Sequence, residues 1–348
     1  MDVFETCPFE SGGGEPNSTP TARSVADSLS SSSHLPTSDG RTNRYFVTVS
    51  GPLFVQWSPL ARQECRTVLF SKGTWILALL VVLWGYRPTY AGWEAVGRNI
   101  TIGYIQIGAS LFLPTGVLLL CYQSLIGERT SGSIKLLLAL PLTRTHIVFG
   151  KAFGRFLGIG AATLLAVFAL VTAGFVDHGP FAILPFLATL LATLLLVAVF
   201  VVLGILLSAV TQRTVAAASA IVAYFLVSMF WNQIVSTVYS AVTGTPVDPY
   251  SPPANGPLFF ALRLAPTGAY KAVTNWILGV GNSTELFQIV QMKLTPGVGI
   301  NAFVVESAFQ GAPVPWYLHP AVGLVILLVW LIVPLGVARF AFERGDAL

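Results

Sequence analysis

Between residues 127 and 144 the chain reads Gly-Glu-Arg-Thr-Ser-Gly-Ser-Ile-Lys-Leu-Leu-Leu-Ala-Leu-Pro-Leu-Thr-Arg. Its polar residues suit recognition better than catalysis. Glu128 and Arg129 form a charged exit from an apolar run. Ser131, Gly132 and Ser133 can turn the chain and cap a helix, and Ile134 to Leu140 is a short apolar helix that Pro141 ends. Thr143 can cap a second helix through Arg144, Lys151 and Arg155. Glu128 and Arg129 are expected in water, where a surface ion pair contributes only about 0–1 kcal/mol. A short apolar helix outside a membrane leaves a hydrophobic face to be covered, by lipid or by another protein.

Other chemistry is poorly supplied. Cys7, Cys65 and Cys121 are far apart and lack metal spacing. The four histidines form no ligand cluster, and three methionines make no soft-metal path, so no metal site is expected. Asp177-His178 and His319 face no evident partner, which argues against an intramembrane enzyme with a nucleophile and base. No catalytic residue is assigned. No Gly-x-x-x-x-Gly-Lys-Ser/Thr loop occurs, so ATP hydrolysis is not expected of this chain.

The elements around the motif are dictated by composition. Of 348 residues, 54% are hydrophobic and 10% charged, against roughly 25% charged in a soluble domain. Asn99–Gly127 and Thr214–Val247 carry no Asp, Glu, Lys or Arg, and neither do 178–212 and 307–338. Each run can supply the roughly 20 residues needed to cross hydrocarbon, and continuous rather than alternating apolarity argues against a barrel. The fold class expected is an all-α integral membrane protein with six spans, near 74–86, 102–125, 156–175, 184–210, 215–239 and 320–340. Residues 59–72 repeat apolar Leu60, Ala61, Cys65, Val68 and Leu69 at helical spacing among Arg62, Arg66 and Lys72. They predict an amphipathic helix with its apolar face on the membrane.

Eleven Lys and Arg fall in 51–72, 124–155, 209–213 and 339–348, and five in 87–98, 176–182 and 237–319. The richer side is cytoplasmic by the orientation rule, which puts both chain ends inside. The net charge of +4 therefore reads as orientation, and no nucleic acid is expected. The long outer connection 237–319 contains Leu258–Leu278, whose Arg263, Lys271, Pro266 and Gly268 suit a re-entrant helical hairpin rather than a span. Residues 1–50, rich in Gly, Ser, Thr and Pro, predict a disordered tail, either regulatory or an over-long start of the reading frame. Residues 51–348 form the membrane domain. The sequons at Asn99 and Asn282 fall on the outer side, where a glycan could attach.

On the motif, the chain resembles the type 2 ABC exporter permeases. It matches their coupling-helix pattern at Glu128, Arg129, Ser131, Gly132, Ser133, Leu137, Leu138, Pro141, Thr143 and Arg144, and departs from it at Thr130 and Lys135. The Ala61–Arg66 segment is similar to that family's connecting helix. The resemblance implies a permease that contacts an ATP-binding-cassette ATPase subunit through a coupling helix, with Glu128, Arg129, Gly132, Ile134, Leu137, Leu138, Pro141 and Arg144 as coupling residues. It implies ATP and Mg on that separate subunit, no cofactor in this chain, and a dimer with a second copy or a paralogue, embedded in lipid of the cell membrane. Gln106, Asn232 and Gln233 are candidates for a transport pathway, with Tyr104, Phe112, Tyr224, Phe230 and Trp231 as apolar lining. Helix packing competes for each of them. A secondary transporter or channel, an intramembrane enzyme and a purely structural subunit are the rival classes.

Overall fold

The computed structural model describes residues 53–87, 96–132, 143–211 and 213–345. The expected tail 1–50 lies outside these residues, as do Ile134, Leu137, Leu138 and Pro141. Among the described residues the secondary structure is helical, with one isolated bridge between Ser283 and Val304. In chain order the helices are α1 (Leu53–Leu69), α2 (Lys72–Gly85), α3 (Ile100–Cys121), α4 (Ile126–Ser131), α5 (Arg144–His178), α6 (Ile183–Val210), α7 (Thr214–Met229), α8 (Trp231–Thr243), α9 (Gly256–Arg263), α10 (Pro266–Leu278), α11 (Phe287–Leu294), α12 (Val305–Phe309) and α13 (Val322–Gly345).

Four stretches are long and apolar enough to cross a membrane: Ile100–Ser131, Arg144–His178, Ile183–Val210 and Val322–Phe342. Two bent pairs raise the number to six if each pair is one span. They are Trp57–Leu69 with Lys72–Gly85, bent by 61°, and Thr214–Met229 with Trp231–Thr243, bent by 68°. Outward residues such as Leu79, Leu83, Val222, Leu226, Val329 and Val333 are exposed on α2, α7 and α13, as lipid-facing helices require. Leu196, Val199, Phe200 and Ile205 of α6 are buried in the main core with Leu113 and Val117 of α3 and Leu170 of α5.

Two expectations change here. The stretch 215–239 is not one straight helix. No Pro or Gly interrupts it. It breaks at Phe230 because α8 is drawn sideways: Trp231 Nε1 donates to Ala261 O at 3.2 Å, and Val235 packs with Leu258 and Leu262 of α9. The apolar edge of α1 also meets protein. Leu60, Ala61 and Val68 are buried because α1 lies in a groove of α5 floored by Gly150, Gly154 and Gly158. A Cβ on Gly154 would sit 2.3 Å from Ala61 O, and one on Gly158 2.8 Å from Cys65 O. Small residues one helical turn apart let two backbones touch in this way.

Candidate functional site

The motif leaves α3 through a turn at residues 122–125 and enters α4. The first N–H groups of a helix need outside acceptors. Here Ser208 of α6 supplies one oxygen for two of them, accepting from Leu125 N at 2.8 Å and Ile126 N at 3.1 Å. Gly132 ends α4 at φ +74°, the left-handed cap that favours glycine. Arg129 Nη1 donates to Ala209 O at 3.2 Å, in the last turn of α6, and its guanidinium lies 5.9 Å from the Phe342 ring. Beyond residues 133–142, Thr143 caps α5 by accepting from His146 N at 3.2 Å. Arg144 Nη1 donates to Phe342 O at 3.1 Å, near the end of α13. The chain on either side of 133–142 is thus moored to carbonyls in the last turns of α6 and α13, where unpaired acceptors and partial negative charge favour arginine.

Beneath α4 lies an ion cluster. Lys151 of α5, with its side chain 1% exposed, donates to Glu64 Oε1 of α1 at 2.5 Å and to Glu128 Oε1 of α4 at 2.6 Å. One turn along α5, Arg155 Nε donates to Glu64 Oε2 at 2.9 Å and Nη1 to Leu120 O at 2.6 Å. Two carboxylates and two cations balance, so the group can be buried without net charge. The expectation that Glu128 and Arg129 stand in water is corrected: Glu128 is paired to a buried lysine and Arg129 is bonded to α6. Their partners lie 23 and 80 residues away, so local sequence does not reveal them. A signal was present in Gly150-x3-Gly154-x3-Gly158, with Lys151 and Arg155 one position after two of the glycines. That ridge draws α1 close enough for Glu64 to reach both cations.

The remaining candidates lie at the opposite end of the bundle. Gln106 is buried, and every polar atom of its side chain is engaged. Nε2 donates to Thr274 Oγ1 and Asn275 Oδ1, each at 2.7 Å, and Oε1 accepts from Phe287 N at 2.9 Å. Asn275 Nδ2 in turn donates to Ser283 O and Glu285 O. Gln106 therefore joins α3 to α10 and to the start of α11. Asn232 is half-buried, its Nδ2 donating to Glu285 Oε1 at 2.5 Å, while Gln233 is exposed. Asp177 and His178, left without partners by the sequence, have them: Tyr86 OH donates to Asp177 Oδ2 at 2.8 Å, and Tyr104 OH lies 2.7 Å from His178 Nε2. Asn282 is buried, bonded to Arg263 and, through Nδ2, to Leu318 O at 2.8 Å. The amide nitrogen that would carry a glycan is thus engaged inside the fold.

Known proteins resemble this chain in sequence along most of its length. The chain is 26% identical over 299 residues to "Probable ABC transporter permease protein NosY" of Stutzerimonas stutzeri, covering 82% of this chain and 97% of that protein. The protein of the same name in Pseudomonas aeruginosa is 31% identical over 130 residues, 34% of this chain and 47% of that one. The family model described as ABC-2 family transporter protein matches residues 58–347, and the chain belongs to that family.

Proposed function

We propose that this chain is the membrane half of an ATP-driven exporter and that a separate nucleotide-binding ATPase docks on residues 133–142. The proposal takes each bent helix pair as one span, which makes six with both chain ends cytoplasmic, and treats α9–α10 as a re-entrant pair on the outer side. Two such chains, identical or paralogous, pair to enclose the path. ATP and Mg act on the partner subunit.

The observation that carries this reading is the mooring around 133–142. A force applied there reaches α6 through Arg129, α13 through Arg144, and α1 and α5 through Glu128 and Lys151. A helix that merely rested on lipid would need no such connections. Coupling requires that the ATPase contact the segment differently in its two states, and flanks bonded to several spans pass that difference to them at once.

Leu137 and Leu138 are the apolar residues expected to enter the ATPase. Burying one contributes about 1.5–3 kcal/mol, about a ten- to hundredfold change in affinity. Leu137→Asp is expected to release the ATPase and abolish ATP turnover in nanodiscs while leaving the thermal unfolding of the membrane domain unchanged. Retention of the subunit and normal turnover in both Leu137→Asp and Leu138→Asp would refute the coupling role.

A further inference from the structure

A cavity of about 420 Å³ lies between α2, α3, α7 and α10, within the range of small-molecule sites. Trp84, Leu111, Phe225 and Met229 supply apolar wall. Leu111, Phe225 and Met229 are exposed, so the cavity opens on the apolar flank of the bundle. Ser110, Thr115 and Ser228 add hydroxyls, and among the described residues Lys271 is the one charged side chain in the lining. The α3 residues that line it, 110 to 115, lie about 15–22 Å along a helix of 22 residues. The cavity therefore sits at hydrocarbon depth.

A lysine at that depth is costly and calls for a counter-charge. Among the described residues, no carboxylate forms an ion pair with Lys271 and its amine makes no hydrogen bond. Glu285, whose carbonyl accepts from Asn275 Nδ2 one turn along α10, is itself engaged by Asn232 Nδ2 at 2.5 Å. The backbone that carries the lysine is held in place. Its carbonyl accepts from Thr274 Oγ1 at 3.2 Å, and Gln106 braces the same turn of α10 through Thr274 and Asn275.

We propose that this cavity binds an anionic amphiphile, with the acidic headgroup on Lys271 and a single acyl-sized tail against Trp84, Leu111, Phe225 and Met229. The proposal names a substrate class for the exporter and rests on that reading. Charge complementarity selects the headgroup, and the apolar opening lets the tail enter from the bilayer.

Trp84 reports on occupancy, because a brominated chain seated there quenches it. Dibromostearate is titrated into the full-length protein in phosphatidylcholine nanodiscs. The share of quenching due to Trp84 is defined by Trp84→Phe. That share is expected to saturate with the acid and to be absent with its neutral methyl ester. Lys271→Met is expected to raise the midpoint at least about tenfold, and Lys271→Arg to stay within about threefold. Competition by oleate or by lysophosphatidic acid supports the site and tells a carboxylate from a phosphate preference, whereas competition by neither overturns it. Equal quenching by the ester, an unchanged midpoint in Lys271→Met, or no Trp84 quenching (the result if a second copy of the chain covers the opening) also overturns it. If Lys271→Met does not fold, Ser228→Phe decides by filling the cavity: quenching must vanish, and its persistence overturns the site. Copurification of the ATPase is read from the same preparations. Its loss with lysine-dependent quenching intact counts against the exporter reading alone, and the converse counts against the site alone.

Discussion

Where Glu64, Glu128, Lys151 and Arg155 meet, α1, α4 and α5 are joined by full charges. Where Gln106, Thr274 and Asn275 meet, α3, α10 and the start of α11 are joined by directional bonds between neutral groups. The two ends of one bundle therefore respond differently to displacement. A neutral hydrogen bond weakens steeply once its angle is lost, so the Gln106 network holds one geometry. Coulomb attraction falls only as the inverse of distance, so the ion cluster can keep its partners while its helices shift. The end that carries the motif is thus the end whose cohesion survives movement.

The largest test of this contrast is Lys151→Met. It leaves the buried Glu64 and the half-buried Glu128 with Arg155 as their only cation in the cluster. Removing one partner of a buried ion pair costs about 3–5 kcal/mol, so thermal unfolding in nanodiscs is expected to fall by several degrees or more. Adding Glu64→Met is expected to recover most of the loss, because Glu128 and Arg155 still balance. Failure of that rescue would mean that Lys151 acts by packing rather than by charge, and the contrast would break.

Gln106→Leu comes next. The leucine nearly fills the same space but leaves Thr274, Asn275 and the Phe287 N–H short of partners, at a cost of about 1–3 kcal/mol. The Phe287 amide is expected to exchange with deuterium faster, while exchange in α1 is unchanged. Equal acceleration at both ends would show that they are one cooperative unit.

Glu128→Gln should have the smallest effect. Its side chain is 21% exposed, and the new amide can still accept from Lys151, so about 1 kcal/mol or less is expected. A loss as large as that of Lys151→Met would place the charge centre at Glu128 rather than at the Glu64–Lys151 pair.

Much of the bundle was legible because its signal is local. Charge-free runs led to spans at 184–210 and 320–340, and the helices found are Ile183–Val210 and Val322–Gly345. The helical pair at 258–278 was readable from Pro266 and the two charges flanking it, and the structure divides it into α9 and α10 with Pro266 opening the second helix. Thr143 as a cap and the turn at Gly132 were readable for the same reason, since each is settled within one turn of chain. The break at Phe230 was not, because its cause lies in α9, some thirty residues on.

What the sequence determined by itself is the solvent each stretch requires and where the chain must turn: hydrophobicity, capping and glycine conformation act over a few residues. What only the tertiary structure decided is which polar group meets which. Glu64 reaches Lys151 across 87 residues, and Gln106 reaches Phe287 across 181. In both cases a helix had to dock first, α1 on the glycine ridge of α5 and α10 beside α3. A buried polar group takes whatever partner that docking brings within about 3 Å.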